Sequence, residues 1–232
     1  MYEDYPQTYK TPNSYNKPIW RYMDFWKFLN LLETSCLYFS NAENLGDNNE
    51  GKFPKEVFEM MLKEDPEFYK YLKSELDNKL SKETLISSWT YHENESFAMW
   101  KMYAKDKMGV AIKTDLKSLK KAFIKTDRTI HIGEITYFNK EQFNYNFTNL
   151  NYAFLNKHEF YNFEKEIRCI TSCLPDEEVG CKLIEVNLNE LLKTIYISPN
   201  AKPEYKKLLE MIKLHYNLNF KIELSEVNDS WL

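Results

Sequence analysis

The chain has 232 residues, of which 43% are hydrophobic and 28% are charged. These values are ordinary for a globular protein and exclude wholesale disorder. The balance of 31 basic against 35 acidic residues excludes a strongly basic nucleic-acid coat protein. No stretch approaches ~18 apolar residues, and the start of the chain lacks the pattern of a signal peptide. We therefore expect a cytoplasmic protein without membrane contact.

The numbers and positions of the glycines and cysteines exclude the common Gly-rich nucleotide-binding loops and cysteine-based zinc sites. Only five residues are glycine, and neither a GxGxxG loop nor a Walker A loop occurs. A nucleotide would therefore have to bind through another architecture. The cysteines, Cys36, Cys169, Cys173 and Cys181, form no CxxC pair and have no histidines at zinc-finger spacing. We expect reduced thiols and no metal site.

The first half of the chain predicts an extended arm followed by two strands and three helices. Residues 1–18 contain three prolines without apolar periodicity, which is typical of an arm. The predicted strands are Ile19–Tyr22 and Cys36–Ser40, and the helices begin at Asp24, Pro54 and Asp65, the last of them running to about Leu80.

The second half predicts a faster alternation of strands and helices. The strands are Leu85–Thr90, Gly109–Lys113, Ile132–Phe138, Glu164–Thr171, Lys182–Leu188, Thr194–Ser198 and Phe220–Leu224. The helices are Glu95–Ala104, Asp115–Ile124, a segment from about Asn149, and Pro203–Tyr216. Because the two types are mixed without strict alternation, residues 19–232 predict a single α+β domain. We expect a mixed or split β-sheet flanked by helices.

A pair of glutamates provides the sharpest chemical signal. In a strand, Glu164, Glu166 and Arg168 lie on one face, where two carboxylates would stand beside a guanidinium. A hydrophobic core does not favour that arrangement, so it indicates a site. The alternative is a solvated strand face with an ion pair worth at most about 1 kcal/mol.

Aromatic residues beside a polar helix start provide a second signal. Trp100 and Tyr103 follow Glu95 and Ser96, so they are candidates for the wall of a cleft that holds a planar ring. The alternative is ordinary core packing. Arg21, inside an otherwise apolar β-prone run, is either decoration of an edge or an anion anchor.

Several segments, in chain order, carry a resemblance to a known family. They are Trp20–Tyr22, Leu37–Asn41, Ser88–Trp89, Glu95–Ser96, Met99–Tyr103, Gly109–Ile112, Phe163–Arg168 and Ile197–Ala201. From about residue 19 the chain resembles a widespread bacterial family, domain of unknown function 2971. The Met-Trp-x-x-Tyr and Glu-x-Glu-x-Arg segments are the most specific parts of the match. This resemblance indicates kinship and implies no activity.

A second resemblance is to ADP-ribosyltransferase-like folds, which bind NAD without a Gly-rich loop. It consists of Arg21, the segment Tyr38–Ser40, and the pair Glu164 and Glu166, in the same chain order as in those folds. It implies an ADP-ribosyltransferase-like fold, NAD as substrate, and transferase or NAD glycohydrolase activity. A bacterial toxin or phage-defence effector would use such an activity.

The same resemblance implies a role for each residue. Arg21 would hold the dinucleotide phosphates with support from Ser40, and Tyr38 would stack on nicotinamide. Glu166 would hydrogen-bond the nicotinamide ribose and stabilise the oxocarbenium-like charge of the transition state. Glu164 would orient or deprotonate the acceptor nucleophile, which is an unidentified protein, nucleic acid, small molecule or water. These roles require the strands of Arg21, Tyr38 and Glu166 to be neighbours.

Two other classes of function remain open. A metal-dependent nuclease would use Glu164 and Glu166 with Asp47 or Glu50 as oxygen ligands for Mg²⁺. A non-catalytic nucleic-acid or protein-binding module would use aromatic surfaces and the lysines of the segment 117–121.

Overall fold

The structure is a computed structural model that describes residues 17–45, 51–52, 55–105, 107–139, 153–202 and 204–227, except the side chains of 55–57 and 77–78. Most of the predicted arm lies outside the described residues, although Pro18, which was assigned to it, begins the first strand. Asp47, Glu50 and the predicted helix start at Asn149 also lie outside them.

Strands and helices are mixed along the chain, as the sequence predicts. The strands are β1 Pro18–Met23, β2 Cys36–Asn41, β3 Thr84–Tyr91, β4 Val110–Asp115, β5 His131–Glu134, β6 Thr136–Phe138, β7 Asn156–His158, β8 Glu166–Ser172, β9 Lys182–Glu185, β10 Thr194–Ile197 and β11 Lys221–Leu224. The helices are α1 Phe25–Thr34, α2 Lys55–Glu64, α3 Pro66–Glu75, α4 Ser81–Glu83, α5 Phe97–Tyr103, α6 Leu116–Ala122, α7 Leu188–Leu191 and α8 Glu204–His215. A π-helical turn, Leu76–Leu80, joins α3 to α4.

Nine strands of the described residues form one mixed sheet in which β3 is the branch point. The sheet runs in the order β11-β10-β4-β1-β3-β2-β9, while β8 pairs with β3 and β5 pairs with β8. β6 and β7 form a separate parallel pair. The predicted α+β class with a mixed sheet is confirmed, and the limits of the single domain stay a prediction.

The sheet forks along one edge of β3. On its other edge β3 pairs with β8 over its length from Thr84 to Thr90. On the forked edge, β1 pairs only at Ile19 and Trp20, and β2 pairs only at Ser40 and Asn41. β1 and β2 are joined by α1 and diverge between these contacts. The edge of β3 is therefore left without a neighbouring strand from residue 87 to residue 89.

Local sequence signals explain where several helices begin. The Asp65 carboxylate accepts a hydrogen bond from the Phe68 amide at 2.9 Å, and Pro66 occupies the first turn of α3. The Asp115 carboxylate accepts one from the Ser118 amide at 2.8 Å. Each side chain satisfies an amide that the helix itself leaves unpaired, which is the role of an N-cap.

Two predicted elements near the glutamates are wrong. The predicted strand 132–138 is divided because the Ile135 amide donates to the Glu166 carbonyl, whereas the Thr136 amide donates to the Leu155 carbonyl. The chain thus changes partner from β8 to the β7 segment. Residues 156–158 form that short strand, where the sequence predicted helix. A three-residue strand made by non-local pairing has no periodicity that a sequence pattern can detect.

Candidate active site

A cavity of about 910 Å³ opens at the fork between β1 and β2. Its polar lining includes Arg21, Lys27, Asn30, Tyr38, Ser40, Asn44, Ser88, Thr90, Tyr103, Lys157, Tyr161, Glu164, Glu166 and Arg168. Its apolar lining includes Trp20, Trp26, Leu31, Ile86, Trp89, Met99, Met102 and Leu183. The volume is near the upper end of the 300–1,000 Å³ that is typical of small-molecule sites. Six of the seven predicted site residues share this one space.

Arg21 bridges the fork at the base of the cavity. Its Nη1 donates to the Ser87 hydroxyl of β3, and its Nη2 donates to the Tyr38 carbonyl of β2 at 3.2 Å. The guanidinium also lies over the Trp89 ring, 5.7 Å from the ring centroid. Burial lowers the pKa of Arg21 to about 10, which leaves the side chain charged at neutral pH. These partners are uncharged, so none of them balances the guanidinium.

The expected support of Arg21 by Ser40 is wrong. Ser40 pairs with Ile86 across the strands, so its side chain is on the opposite face from that of Ser87. The Ser40 hydroxyl instead donates to the Asn41 carbonyl at 3.2 Å and lies 3.9 Å from the Cys181 sulfur.

Tyr38 presents an aromatic ring at the mouth of the cavity. Its side chain is 48% exposed, and its hydroxyl hydrogen-bonds to the Cys181 thiol. Burial and this hydrogen bond raise the pKa of Tyr38. A ring that is held at its hydroxyl and exposed on its surface can stack on a planar ligand at low entropic cost.

Glu166 is a buried carboxylate held by two cations. It is 5% exposed, and Arg168 donates to its two oxygens from Nε at 2.7 Å and from Nη2 at 3.2 Å. The Lys157 ammonium lies 3.0 Å from Oε2. Burial alone would raise the pKa of Glu166, but Arg168 and Lys157 lower it to about 2. Glu166 is therefore ionised at neutral pH.

The strands of Arg21, Tyr38 and Glu166 are not direct neighbours of one another, but each pairs with β3. Trp20 pairs with Thr90 and Thr90 with Glu166, so these three side chains share a face of the sheet. Arg21, one residue after Trp20, is on the other face. Because the sheet is open at the fork, the cavity reaches residues of both faces.

Glu164 does not lie on the strand with Glu166, contrary to the prediction. It ends a 3₁₀-helix, Glu159–Glu164, and Lys165 then turns the chain in the left-handed conformation with φ of 42°. The Glu164 side chain is 4% exposed and nevertheless lines the same cavity as Glu166. Burial raises the pKa of Glu164 above its ordinary value, and Lys157 partly offsets this increase. The interpretation as a solvated face is wrong, since both carboxylates and Arg168 are buried.

Lys157 is the main residue of the site that the sequence reasoning missed. Its ammonium lies 2.7 Å from Glu164 Oε2 and 3.0 Å from Glu166 Oε2, and the residue is only 9% exposed. It lies on β7, which the sequence predicted as helix. A lysine in an Asn-rich and aromatic-rich segment carries no signal of its own, so only the three-dimensional structure identifies it.

The two predicted site residues of α5, Trp100 and Tyr103, lie on different sides of that helix. Tyr103 lines the cavity, and its hydroxyl donates to Glu164 Oε1 at 3.2 Å. Trp100 does not line this cavity, so its predicted position there is wrong. It is 3% exposed, packs edge-on against Tyr22 at 5.0 Å, and donates to Glu95 Oε2 at 2.8 Å. Its indole is satisfied within the core, which leaves no polar group for a ligand.

The structure bears differently on the two alternative functions, a metal-dependent nuclease and a non-catalytic binding module. Among the described residues, no group of three or more His, Cys, Asp or Glu side chains is arranged to hold a metal ion. The glutamate pair is instead bound to Lys157 and Arg168. On α6, Lys117 and Lys121 are exposed, as a binding surface or a solvated helix face would require. No helix in the described ranges is long and apolar enough to cross a membrane.

The fold and the cavity define a mixed α/β protein with a buried pair of carboxylates at a forked sheet. Residues 99–169 match the model of the family described as "Protein of unknown function (DUF2971)". This match confirms the resemblance to domain of unknown function 2971 over a segment that contains Tyr103, Lys157, Glu164, Glu166 and Arg168. A search of curated proteins finds no match to the chain.

Proposed function

We propose that this protein is an ADP-ribosyltransferase-like enzyme that cleaves the bond between nicotinamide and ribose in NAD. The observation that supports this most is the fork cavity, where Arg21, Tyr38 and Glu166 come from three different strands that all pair with β3. Within the described residues, the cavity contains Arg21, whose hydrogen-bond partners are uncharged, and Glu166, a buried and ionised carboxylate. These are the two charges that recognition and cleavage of a dinucleotide need.

Arg21 is the proposed phosphate-binding residue. Its guanidinium is bound by the Ser87 hydroxyl and the Tyr38 carbonyl, which leave its positive charge unneutralised. Beside it, the buried Trp89 indole N–H has no hydrogen-bond partner among the described residues. A buried donor without a partner is costly, and an anionic ligand would satisfy the donor and balance the charge.

Aromatic rings at the mouth are the proposed stacking surfaces. Trp26 is 63% exposed, Tyr38 is 48% exposed and Tyr103 is 40% exposed, and all three line the cavity. Exposed aromatic side chains that rim one cavity form a surface on which a planar ligand can stack. Tyr38 is the proposed partner of nicotinamide.

Glu166 is the proposed residue that stabilises the transition state. As nicotinamide leaves with the bonding electron pair, positive charge develops on the ribose ring. A buried carboxylate that is already ionised and held by Arg168 needs no reorganisation to oppose this charge. Glu164, with its raised pKa, accepts the proton of the acceptor as the new bond to ribose forms.

The test is to incubate the purified protein with NAD and to measure nicotinamide and ADP-ribose by chromatography. We expect the unaltered protein to release nicotinamide and Glu166→Gln to be slower by at least about 100-fold, as for the loss of one electrostatic group. Glu177→Gln is the matched control, because Glu177 also pairs with an arginine, Arg128, and does not line the cavity. It should retain full activity.

Absence of nicotinamide release by the folded, unaltered protein between pH 5 and pH 9 would contradict the proposal. Addition of cell extract with labelled NAD then identifies the acceptor of ADP-ribose, which the residues of the cavity do not indicate. A labelled protein, nucleic acid or small molecule indicates transfer, and free ADP-ribose alone indicates hydrolysis. The cytoplasmic location also stays a prediction.

A further inference from the structure

Lys157 joins the two carboxylates of the cavity into one charged cluster. Its ammonium contacts Glu164 and Glu166 at 2.7 and 3.0 Å, and Arg168 closes the cluster by binding both oxygens of Glu166. The cluster thus contains two negative and two positive side chains, all at most 9% exposed.

Because Lys157 is buried, its charge interacts strongly with the carboxylates of Glu164 and Glu166. At the roughly 3 Å separations seen here, charges in a partly desolvated site interact far more strongly than they do in water. Without the ammonium, two carboxylates would stand close together with Arg168 alone to balance them. In that case one of them would take up a proton, as neighbouring carboxylates do when no cation intervenes.

We infer that Lys157 is the positioning residue that keeps Glu164 and Glu166 ionised together and fixes where their oxygens lie in the cavity. This inference rests on the proposed function for the step it serves, since Glu164 must be ionised to accept a proton. Glu166 has a second cation in Arg168, so Glu164 is the carboxylate whose state depends most on Lys157.

The groups that face the cluster come from several elements. Tyr103 of α5 donates to Glu164, and the Tyr137 hydroxyl of β6 accepts from the Glu166 amide at 2.8 Å. Tyr161 lies with its ring 5.1 Å from the Lys157 ammonium. Burial raises the pKa of both Tyr103 and Tyr137, so these hydroxyls stay protonated through the range in which carboxylates titrate. The cluster therefore titrates through its carboxylates.

The first measurement is the pH dependence of nicotinamide release by Lys157→Met, which removes the charge and keeps most of the side-chain length. The loss of an opposite charge at this distance should move the acidic limb of the profile upward by about 1–3 pH units. The rate at high pH should fall less than the rate at low pH. Lys157→Arg restores the charge and should return the limb toward its original position.

The matched control is Lys193→Met, which breaks an exposed lysine–glutamate pair with Glu190 that does not line the cavity. Its pH profile should be that of the unaltered protein. If Lys157→Met does not fold, Lys157→Gln, which keeps a hydrogen-bond donor without the charge, takes its place. An unchanged acidic limb in a folded neutral variant would overturn the inference.

The second measurement does not depend on activity. Carboxyl ¹³C chemical shifts of glutamate-labelled protein report the titration of Glu164, whose signal is assigned by its loss in Glu164→Gln. We expect its midpoint to rise in Lys157→Met and to stay in place in Lys193→Met. An inactive unaltered protein would contradict the proposed function alone, whereas a Glu164 midpoint that does not move would contradict the role of Lys157.

Discussion

Glu166 illustrates how a single buried side chain links the site to the stability of the whole protein. In the folded chain its pKa is about 2, against an ordinary value of 4.5, because Arg168 and Lys157 outweigh the effect of burial. A carboxylate whose pKa is depressed by folding stabilises the fold above its unfolded pKa. That contribution is lost as the pH falls through the folded pKa.

We therefore predict a loss of stability in acid that depends on Glu166. Between about pH 4.5 and pH 2 the free energy of unfolding should fall by roughly 3 kcal/mol from this group. Folding raises the pKa of Glu164, so this residue stabilises the fold as the pH falls and reduces the net loss of the free energy of unfolding. Urea unfolding at a series of pH values measures the dependence, which should be weaker in Glu166→Gln. An equal dependence in both proteins would exclude Glu166 as its source.

The proposed function gives Glu164 a role in transfer that hydrolysis does not share. If this carboxylate accepts the proton of the acceptor, Glu164→Gln should reduce labelling of the acceptor by more than it reduces release of nicotinamide to water. Chromatography of nicotinamide and scintillation counting of labelled acceptor in the same reaction give the ratio. An equal reduction of both products would show that Glu164 acts before the acceptor reacts.

At the scale of the element, α5 carries the wall of the cavity on one side and core packing on the other. Met99, Met102 and Tyr103 line the cavity, whereas Trp100 packs against Tyr22. The helix has only seven residues, so its stability comes from this packing rather than from its own length.

Trp100 and Trp26 should therefore respond to substitution in opposite ways. Trp100→Ala removes a buried ring and should lower the free energy of unfolding by about 3–5 kcal/mol. Trp26→Ala changes a side chain that is 63% exposed and should cost little stability while weakening NAD binding. Chemical denaturation and isothermal calorimetry measure the two effects. If Trp100→Ala weakened NAD binding without a loss of stability, the assignment of Trp100 to the core would be incorrect.

The sequence predicted those parts of the site whose signals are local. Arg21 stands out because it interrupts a short β-prone run, and Asp115 marks the start of its helix as an N-cap. Tyr38 was named through the resemblance to ADP-ribosyltransferase-like folds. Trp100 and Tyr103 could not be told apart, because apolar and aromatic side chains occupy both faces of α5. Lys157 was missed because β7 exists only through its pairing with β6, where Lys157 is opposite Tyr137 and no local sequence pattern indicates the pairing.

At the scale of the whole molecule, the site depends on one strand. β1, β2 and β8 are held in position by their separate pairings with β3, and the fork exists because two of them share one edge. The two sides of the cavity are thus connected through the backbone of β3. A change in its twist would alter the distance between Arg21 and Glu166 without touching either residue.

This shared dependence has a consequence for how the protein is made. The residues around the cavity extend from Trp20 to Leu183, and the carboxylates come late in that span. At typical translation rates, synthesis from Ser40 to Glu166 takes on the order of ten seconds. A nascent chain on the ribosome therefore carries the proposed binding residues, Arg21 and Tyr38, well before it carries Glu164 and Glu166. A fragment that ends before Glu164 lacks both carboxylates and also β8, which pairs with β3 from Thr84 to Thr90. The proposed function therefore predicts that such a fragment would not cleave NAD.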